Sequence, residues 1–414
     1  MGRALRHRNY RLFFGGQSIS LIGTWLTRVA TSWLVYRLTK SPFLLGFVSF
    51  AGQLPTFLFS PFAGVLVDRW SRHRVLVVTQ ILAMIQSGLL AIFTLRGNIT
   101  VVDVLVLVIF QGCINSFDMP ARQAFAVEML ESREDLPNAI ALNSSMANMA
   151  RLVGPSFAGI LIAAFGEGGC FAIDSLSYIA VIASLLLMRL PKRPLMHASE
   201  KKMISELKEG VRYAVRFKPV FSVLLVLALI SMMGMPYMVL LPIVVTEQLH
   251  GGAVLLGYLT AASGLGALTG VLYLASRKSV IGLGRVIWVS SATFGVGLMA
   301  FAFSRWSALS MFFIFIAGMG MMVQLASGNT ILQTIVEENK RGRVMSLYTM
   351  SVAGMVPFGS LLSGFAAKYL GASTTIFIGG TACVLGAVGF YRALPSIREQ
   401  IRPIYRDLGI ISSP

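Results

Sequence analysis

A chain of 414 residues could build two or three soluble domains, but 56% apolar against 13% charged residues excludes that class and leaves an integral membrane protein. The formal charge of +18 does not point to nucleic acid, because the 35 lysines and arginines collect almost wholly in alternate loops. Cys113, Cys170 and Cys383 fall singly in or beside apolar runs, so buried thiols are expected rather than disulfides or a metal site.

The N-terminal MGRALRHRNYRLFF is basic like a signal peptide. The apolar run behind it is too long and lacks a small-residue cleavage site, so it reads as the cytosolic lead of a first spanning helix. Charged and Gly/Pro-rich interruptions then divide the first half into apolar segments at about 12–36, 43–67, 75–95, 101–117, 139–165 and 170–188. The second half divides at about 220–246, 254–276, 286–303, 306–336, 344–367 and 372–391. Runs of this length match a hydrocarbon core about 30 Å thick, and helices are the form in which they satisfy their backbone in lipid. The predicted fold class is an all-α membrane protein, with twelve transmembrane helices in two pseudo-symmetric six-helix bundles.

Alternate loops carry 28 basic residues on one side and 5 on the other, which predicts cytoplasmic termini. The predicted domains are an N-terminal bundle over 1–190, a cytoplasmic linker over 191–219 and a C-terminal bundle over 220–414. Within the linker, Ile204, Leu207, Val211 and Val215 recur at helical spacing among basic residues, the pattern of a helix lying on a membrane surface. The alternative is a solvated tether with accidental periodicity. Gly154, Gly159 and Gly166 recur as Gly359, Gly364 and Gly371 at a constant offset of 205, which favours a duplicated half.

Between the second and third segments stands GVLVDRWSRHR. Its Gly64, Asp68, Arg69, Arg72 and Arg74 resemble the G-x-x-x-D-R-x-x-R-x-R signature of the major facilitator superfamily, with Trp70-Ser71 where the usual pattern has x-Gly. The resemblance implies that this loop helps to hold the two halves shut on the cytoplasmic side. By the same resemblance Asp68 faces the start of the eleventh span and Arg72 pairs with an acid at the base of the fourth, for which Asp118 is available. A merely topogenic loop explains the arginines but neither Asp68 nor Gly64. In the second half the corresponding GVLYLASRK has Leu274 in place of the aspartate, a degenerate copy.

In the fifth segment Ala141, Ala150, Gly154, Pro155, Ala158 and Gly159 resemble the small-residue pattern of exporters in that superfamily, although alanines replace three of its glycines. Small residues permit close helix approach and Pro155 breaks one backbone hydrogen bond; ordinary packing is the competing reading. GTWLTRVATSWLVY from Gly23, DMPARQAF from Asp118 and LPNAIALNSS from Leu136 resemble the enterobactin-exporter-like branch, which includes siderophore and drug efflux proteins. That resemblance implies proton-driven extrusion of a small amphiphilic molecule across a bacterial inner membrane by a monomer, in contact with membrane lipid and needing no cofactor beyond the proton gradient. An importer of an organic solute, a lysophospholipid flippase and a non-transporting sensor remain alternatives.

Charges inside lipid cost about 2.5–3.5 kcal/mol on insertion scales and are candidates for function. Arg151 lies near the middle of the fifth span, and Arg28 and Asp174 lie at similar outward depths in the first and sixth. Similar depth allows an Arg28–Asp174 pair, with Asp174 taking up the coupling proton and Arg28 or Arg151 responding to its charge; a static salt bridge or an interfacial acid touching water is the alternative. In the tenth span Gln324, Asn329 and Gln333 are the polar candidates for substrate contact. No GxxxxGK[ST] loop is present, and His7, His73, His197 and His250 show neither metal-ligand spacing nor a Ser-His-Asp grouping, so no enzyme activity is expected.

Overall fold

The computed structural model describes residues 3–130, 132–189, 203–277 and 279–410; the side chains of Asp68, Ile204 and Leu207 lie outside the described set. Every regular element among the described residues is helical. The chain packs as two compact units, Met1–Ser199 with His250–Ala261, and Glu200–Leu249 with Ala262–Pro414.

The first unit holds α1 (Arg8–Thr39), α2 (Pro42–Arg69), α3 (Arg72–Leu95), α4 (Val101–Phe125) and α5 (Leu136–Leu186). Local chemistry sets their starts. Ser41 accepts from the Leu44 amide while Pro42 opens α2, and Thr100 and Asp103 form a reciprocal capping box at the start of α4. The 51-residue α5 is too long for one crossing, and Gly166, at φ 69° and ψ 179°, divides it into a fifth and a sixth span.

The second unit begins with α6 (Met203–Arg216) and a seventh span made of α7 (Lys218–Leu229) and α8 (Tyr237–Ile243), with π-helical turns at Ile230–Gly234 and Val244–Gln248. It continues through the part of α9 (Ala253–Ala275) that follows Ala261, then α10 (Leu283–Phe303), α11 (Ser307–Ile335), α12 (Glu338–Thr349), α13 (Met355–Leu370) and α14 (Ala372–Asp407). The linker helix α6 docks on α12. Glu209 pairs with Arg343 Nη1 at 2.6 Å, Lys340 sits 4.8 Å from the Tyr213 ring, and Gly210 packs on the Arg343 side chain. Val211 and Val215 stay exposed while Ala214 is buried.

Ten helical runs among the described residues are long and apolar enough to cross a membrane, and one of them is the double-length α5. The helix missing from the ten is α1, whose 32 residues suffice but whose Gln17, Ser20, Thr24, Thr27 and Arg28 dilute its apolar character. With α1 counted and α5 divided, the twelve expected spans are present.

The duplication is visible in the backbone. Gly166 and Gly371 stand at the same place in their halves, between the fifth and sixth and between the eleventh and twelfth spans, and both have positive φ, 69° and 81°. Gly154 packs against α1, and its counterpart Gly359 packs against the Met232 carbonyl of the seventh span. The first turns of α9 belong with the first unit through another close crossing. A methyl group on Gly159 would lie 2.6 Å from the Ala253 carbonyl oxygen, and one on Gly257 would lie 2.9 Å from that of Pro155.

Candidate functional site

The charged turn between α2 and α3 is fastened to the fourth and sixth spans by side chains on both sides of it. Trp70 stacks on Phe117 with ring centroids 6.4 Å apart, the His73 ring nitrogen lies 2.8 Å from the Leu185 carbonyl, and Arg72 Nη1 donates to Glu128 at 2.7 Å. Glu128 therefore replaces Asp118 as the acid opposite Arg72. It lies beyond the end of α4, in the turn that follows Ala126, and so reaches a guanidinium at the start of α3. Arg69 and Arg74 are exposed, and Gly64 has open space where a side chain would begin. Asp68 ends α2 one residue before Arg69, with its side chain outside the described set.

Asp118 is buried, seven residues before the end of α4. Its Oδ1 accepts from Thr79 Oγ1 at 2.9 Å and Gln80 Nε2 at 2.7 Å, and its Oδ2 is paired with Arg122 one turn along α4. Such a fully donated carboxylate joins α3 to α4. Asp118→Asn is expected to lower stability in detergent by about 1.5–3 kcal/mol, because it discards a charge-assisted bond and points an amide at donors. A thermal melt of the purified variant checks this.

Asp174 in the sixth span has a different environment. It is 2% exposed, and Oδ2 accepts from Thr27 Oγ1 at 2.7 Å and Ser87 Oγ at 3.0 Å. Oδ1 has no hydrogen-bond partner and faces Gly23 of α1, where a methyl group would stand 2.5 Å from it. The backbone of α1 thus passes directly over the carboxylate, which only a glycine allows. The other two buried acids of this unit are held by arginine: Asp118 by Arg122, and Glu167 by Arg37 at 2.7 Å. Asp174 is held by hydroxyls.

The Arg28–Asp174 pair that matching depth allows does not form. The Arg28 guanidinium lies 4.7 Å from the Trp25 ring centroid, and Arg151 of the fifth span lies 5.6 Å from the same ring. Gly154 sets this crossing. A methyl group there would overlap Trp25 Cβ and come within 3.2 Å of the Ile22 carbonyl. Pro155, one residue on, interrupts the helix ladder, and its carbonyl abuts Gly257. In α11, Gln324 is fully buried with both amide atoms unpartnered, whereas Gln333 Nε2 donates to Asn329 Oδ1 at 2.6 Å on an exposed face.

Sequence reasoning missed Gly23, Thr27 and Ser87 around Asp174, Trp25 between the arginines, and the Arg37–Glu167 pair beside the Gly166 break. Their signal was the polar character of α1, a spanning helix with hydroxyls on successive turns.

A long helical chain with polar residues and charges at depth defines a multi-pass membrane protein. A sequence profile for the family described as transmembrane secretion effector matches residues 3–404, so the chain belongs to that family of the major facilitator superfamily. It is similar to the staphyloferrin A transporter of Staphylococcus aureus, 25% identical over 386 residues that cover 92% of this chain and 95% of that one. It is equally similar to macrolide efflux protein A of Streptococcus pyogenes, 25% identical over 393 residues and 92% and 96% of the two chains. Among solved structures, a bacterial homologue of the iron transporter ferroportin shares the fold with a TM-score of 0.71 at 16% identity, covering 93% of this chain and 98% of that one. A POT family transporter shares it with a TM-score of 0.73 at 12% identity, covering 94% and 96%. The chain is a transporter and not an enzyme.

Proposed function

We propose that this protein exports a small amphiphilic molecule across a bacterial inner membrane by proton-coupled alternating access, with both termini in the cytoplasm and Asp174 as the proton carrier. The observation that carries the reading is the setting of Asp174. Among the described residues it is the buried carboxylate held by hydroxyl donors in place of an arginine, with one oxygen occupied and the other open to a proton. Thr27 and Gly23 connect it to α1, so a change in its charge acts directly on the helix that carries Arg28. The efflux proteins among the relatives support the outward direction, and the basic bias of alternate loops supports the orientation.

The test uses inverted membrane vesicles containing the full chain. A proton gradient, acid inside, is expected to drive uptake of siderophore- and macrolide-type compounds, and a protonophore is expected to abolish it. Accumulation that ignores the gradient, or that responds to added phospholipid in its place, overturns proton-coupled export.

A further inference from the structure

We propose that a groove along α10 and α11 seats an acyl chain of an anionic phospholipid, with the lipid phosphate held at Arg285 and Arg392. Such a site is independent of the cargo, direction and coupling proposed above.

The groove has a volume of about 310 Å³ and is lined by Trp288, Val289, Ala292, Thr293 and Val296 of α10 and by Ile316 of α11. Val289, Ala292 and Val296 follow one another along one face of the helix, and Val289 and Val296 are exposed. The Thr293 hydroxyl donates to the Val289 carbonyl at 2.9 Å, so it makes no demand on an incoming hydrocarbon chain.

This stripe ends on a charge. Arg285 lies four residues before Val289 on the same face, and α10 carries no charged residue from Val286 to Phe303. In α14 the uncharged run from Ala372 likewise ends at Arg392. The two ends lie against each other. The Trp288 and Tyr391 ring centroids are 5.0 Å apart, and a methyl group on Gly284 would stand 2.7 Å from Leu394 Cδ1. Apolar surface therefore gives way to charge at one level on both helices, with a tryptophan and a tyrosine at the border, where such rings sit in a bilayer. From Arg285 to Val296 the helix rises about 16 Å, half of a hydrocarbon core about 30 Å thick. Arginine and groove together thus span a single leaflet, as one phospholipid does.

Arg285 and Arg392 are exposed, and among the described residues neither side chain has a hydrogen bond or an ion pair; the pairs formed in this unit are Glu209–Arg343 and Glu337–Lys340. Neighbouring cations are engaged, Arg277 Nη2 by the Ile281 carbonyl at 2.9 Å and Lys218 Nζ by Ser396 Oγ at 3.1 Å. Beyond Arg392 the next acid along α14 is Glu399, about 10 Å further on. A guanidinium fork matches the oxygens of a phosphate, and two forks at the mouth of one apolar groove favour a lipid with a net negative headgroup. Phosphatidylcholine offers the same phosphate but brings a cation of its own.

The purified full chain in phosphatidylcholine vesicles, with brominated-acyl phosphatidylglycerol or brominated-acyl phosphatidylcholine at rising mole fraction, tests this through quenching of tryptophan fluorescence. The Trp288 contribution is the difference between each protein and its Trp288→Phe counterpart. Half of it is expected to be quenched at a mole fraction of phosphatidylglycerol at least about fivefold below that of phosphatidylcholine. Arg285→Gln combined with Arg392→Gln is expected to erase this preference, and the paired lysine replacements to keep part of it. Ala292→Phe, which fills the groove and leaves both arginines, is expected to lose the quenching at low phosphatidylglycerol content. Thermal melts establish that each variant is folded. Equal quenching by the two lipids, a preference that survives in the folded double glutamine variant, or unchanged quenching in folded Ala292→Phe overturns the site.

Discussion

Asp174→Asn is expected to cut export driven by a proton gradient at least tenfold while leaving the protein inserted and folded. An asparagine fills the same volume and its carbonyl oxygen can still accept from Thr27 and Ser87, so the contacts to α1 and α3 persist. What is lost is the oxygen facing Gly23 that has no partner and can take a proton. Asp174→Leu separates packing from chemistry. It strands the Thr27 hydroxyl, at about 1–3 kcal/mol for a group left unsatisfied, while Ser87 keeps the Phe171 carbonyl at 3.0 Å, and should therefore also lower the melting temperature. Rates measured in vesicles with an imposed pH gradient, alongside melts of both variants, make the comparison. Undiminished coupling in the asparagine variant removes Asp174 from the mechanism.

Gly154→Val should be the most damaging change outside the charged residues. The added Cβ overlaps Trp25 Cβ, an atom that cannot turn aside without moving the α1 backbone, and the Ile22 carbonyl stands 3.2 Å away on the same side. Overpacking of this kind costs about 1–3 kcal/mol, and here it also separates Arg151 from the ring it shares with Arg28. Loss of export together with a lowered melt is the expected result. Gly15→Ala is the control, since that position has nothing within 4 Å of a new methyl group and lies inside a helix, where alanine is the better former. A valine variant that melts and transports like the parent would show that the crossing is looser than these distances imply.

Much of this architecture was legible in the sequence, because segment length, loop charge and the 205-residue recurrence of glycines are all properties of the chain as a string. The glycines had a physical reason to recur: Gly166 and Gly371 occupy a region of backbone space that side chains exclude, and Gly154 and Gly359 sit at helix contacts. The pairing of charges was not legible. Arg28 and Asp174 lie at matching depths, but depth leaves rotation undetermined, and one residue of helix turns a side chain by 100°. That single step gives Thr27 to Asp174 and sends Arg28 to Trp25. Arg72 shows a different limit, since Glu128 lies past the end of α4 in a turn whose path no periodicity describes. In α6 the apolar spacing located the helix, but the contacts to α12 are made by Glu209, Gly210 and Tyr213 against Arg343 and Lys340, none of them part of the apolar repeat.

The one-residue join at Gly166 has a mechanical consequence. Between two rigid rods the chain has two soft torsions per residue, so the angle between the fifth and sixth spans is governed by little more than the φ and ψ of one glycine. Asp174 is eight residues beyond that joint, about 12 Å along the rod. Arg151, Gly154 and Pro155 are within fifteen residues on the other arm. Rotation about the pivot displaces both arms together, with no loop in which the movement could be absorbed, and Gly371 gives the second half the same joint.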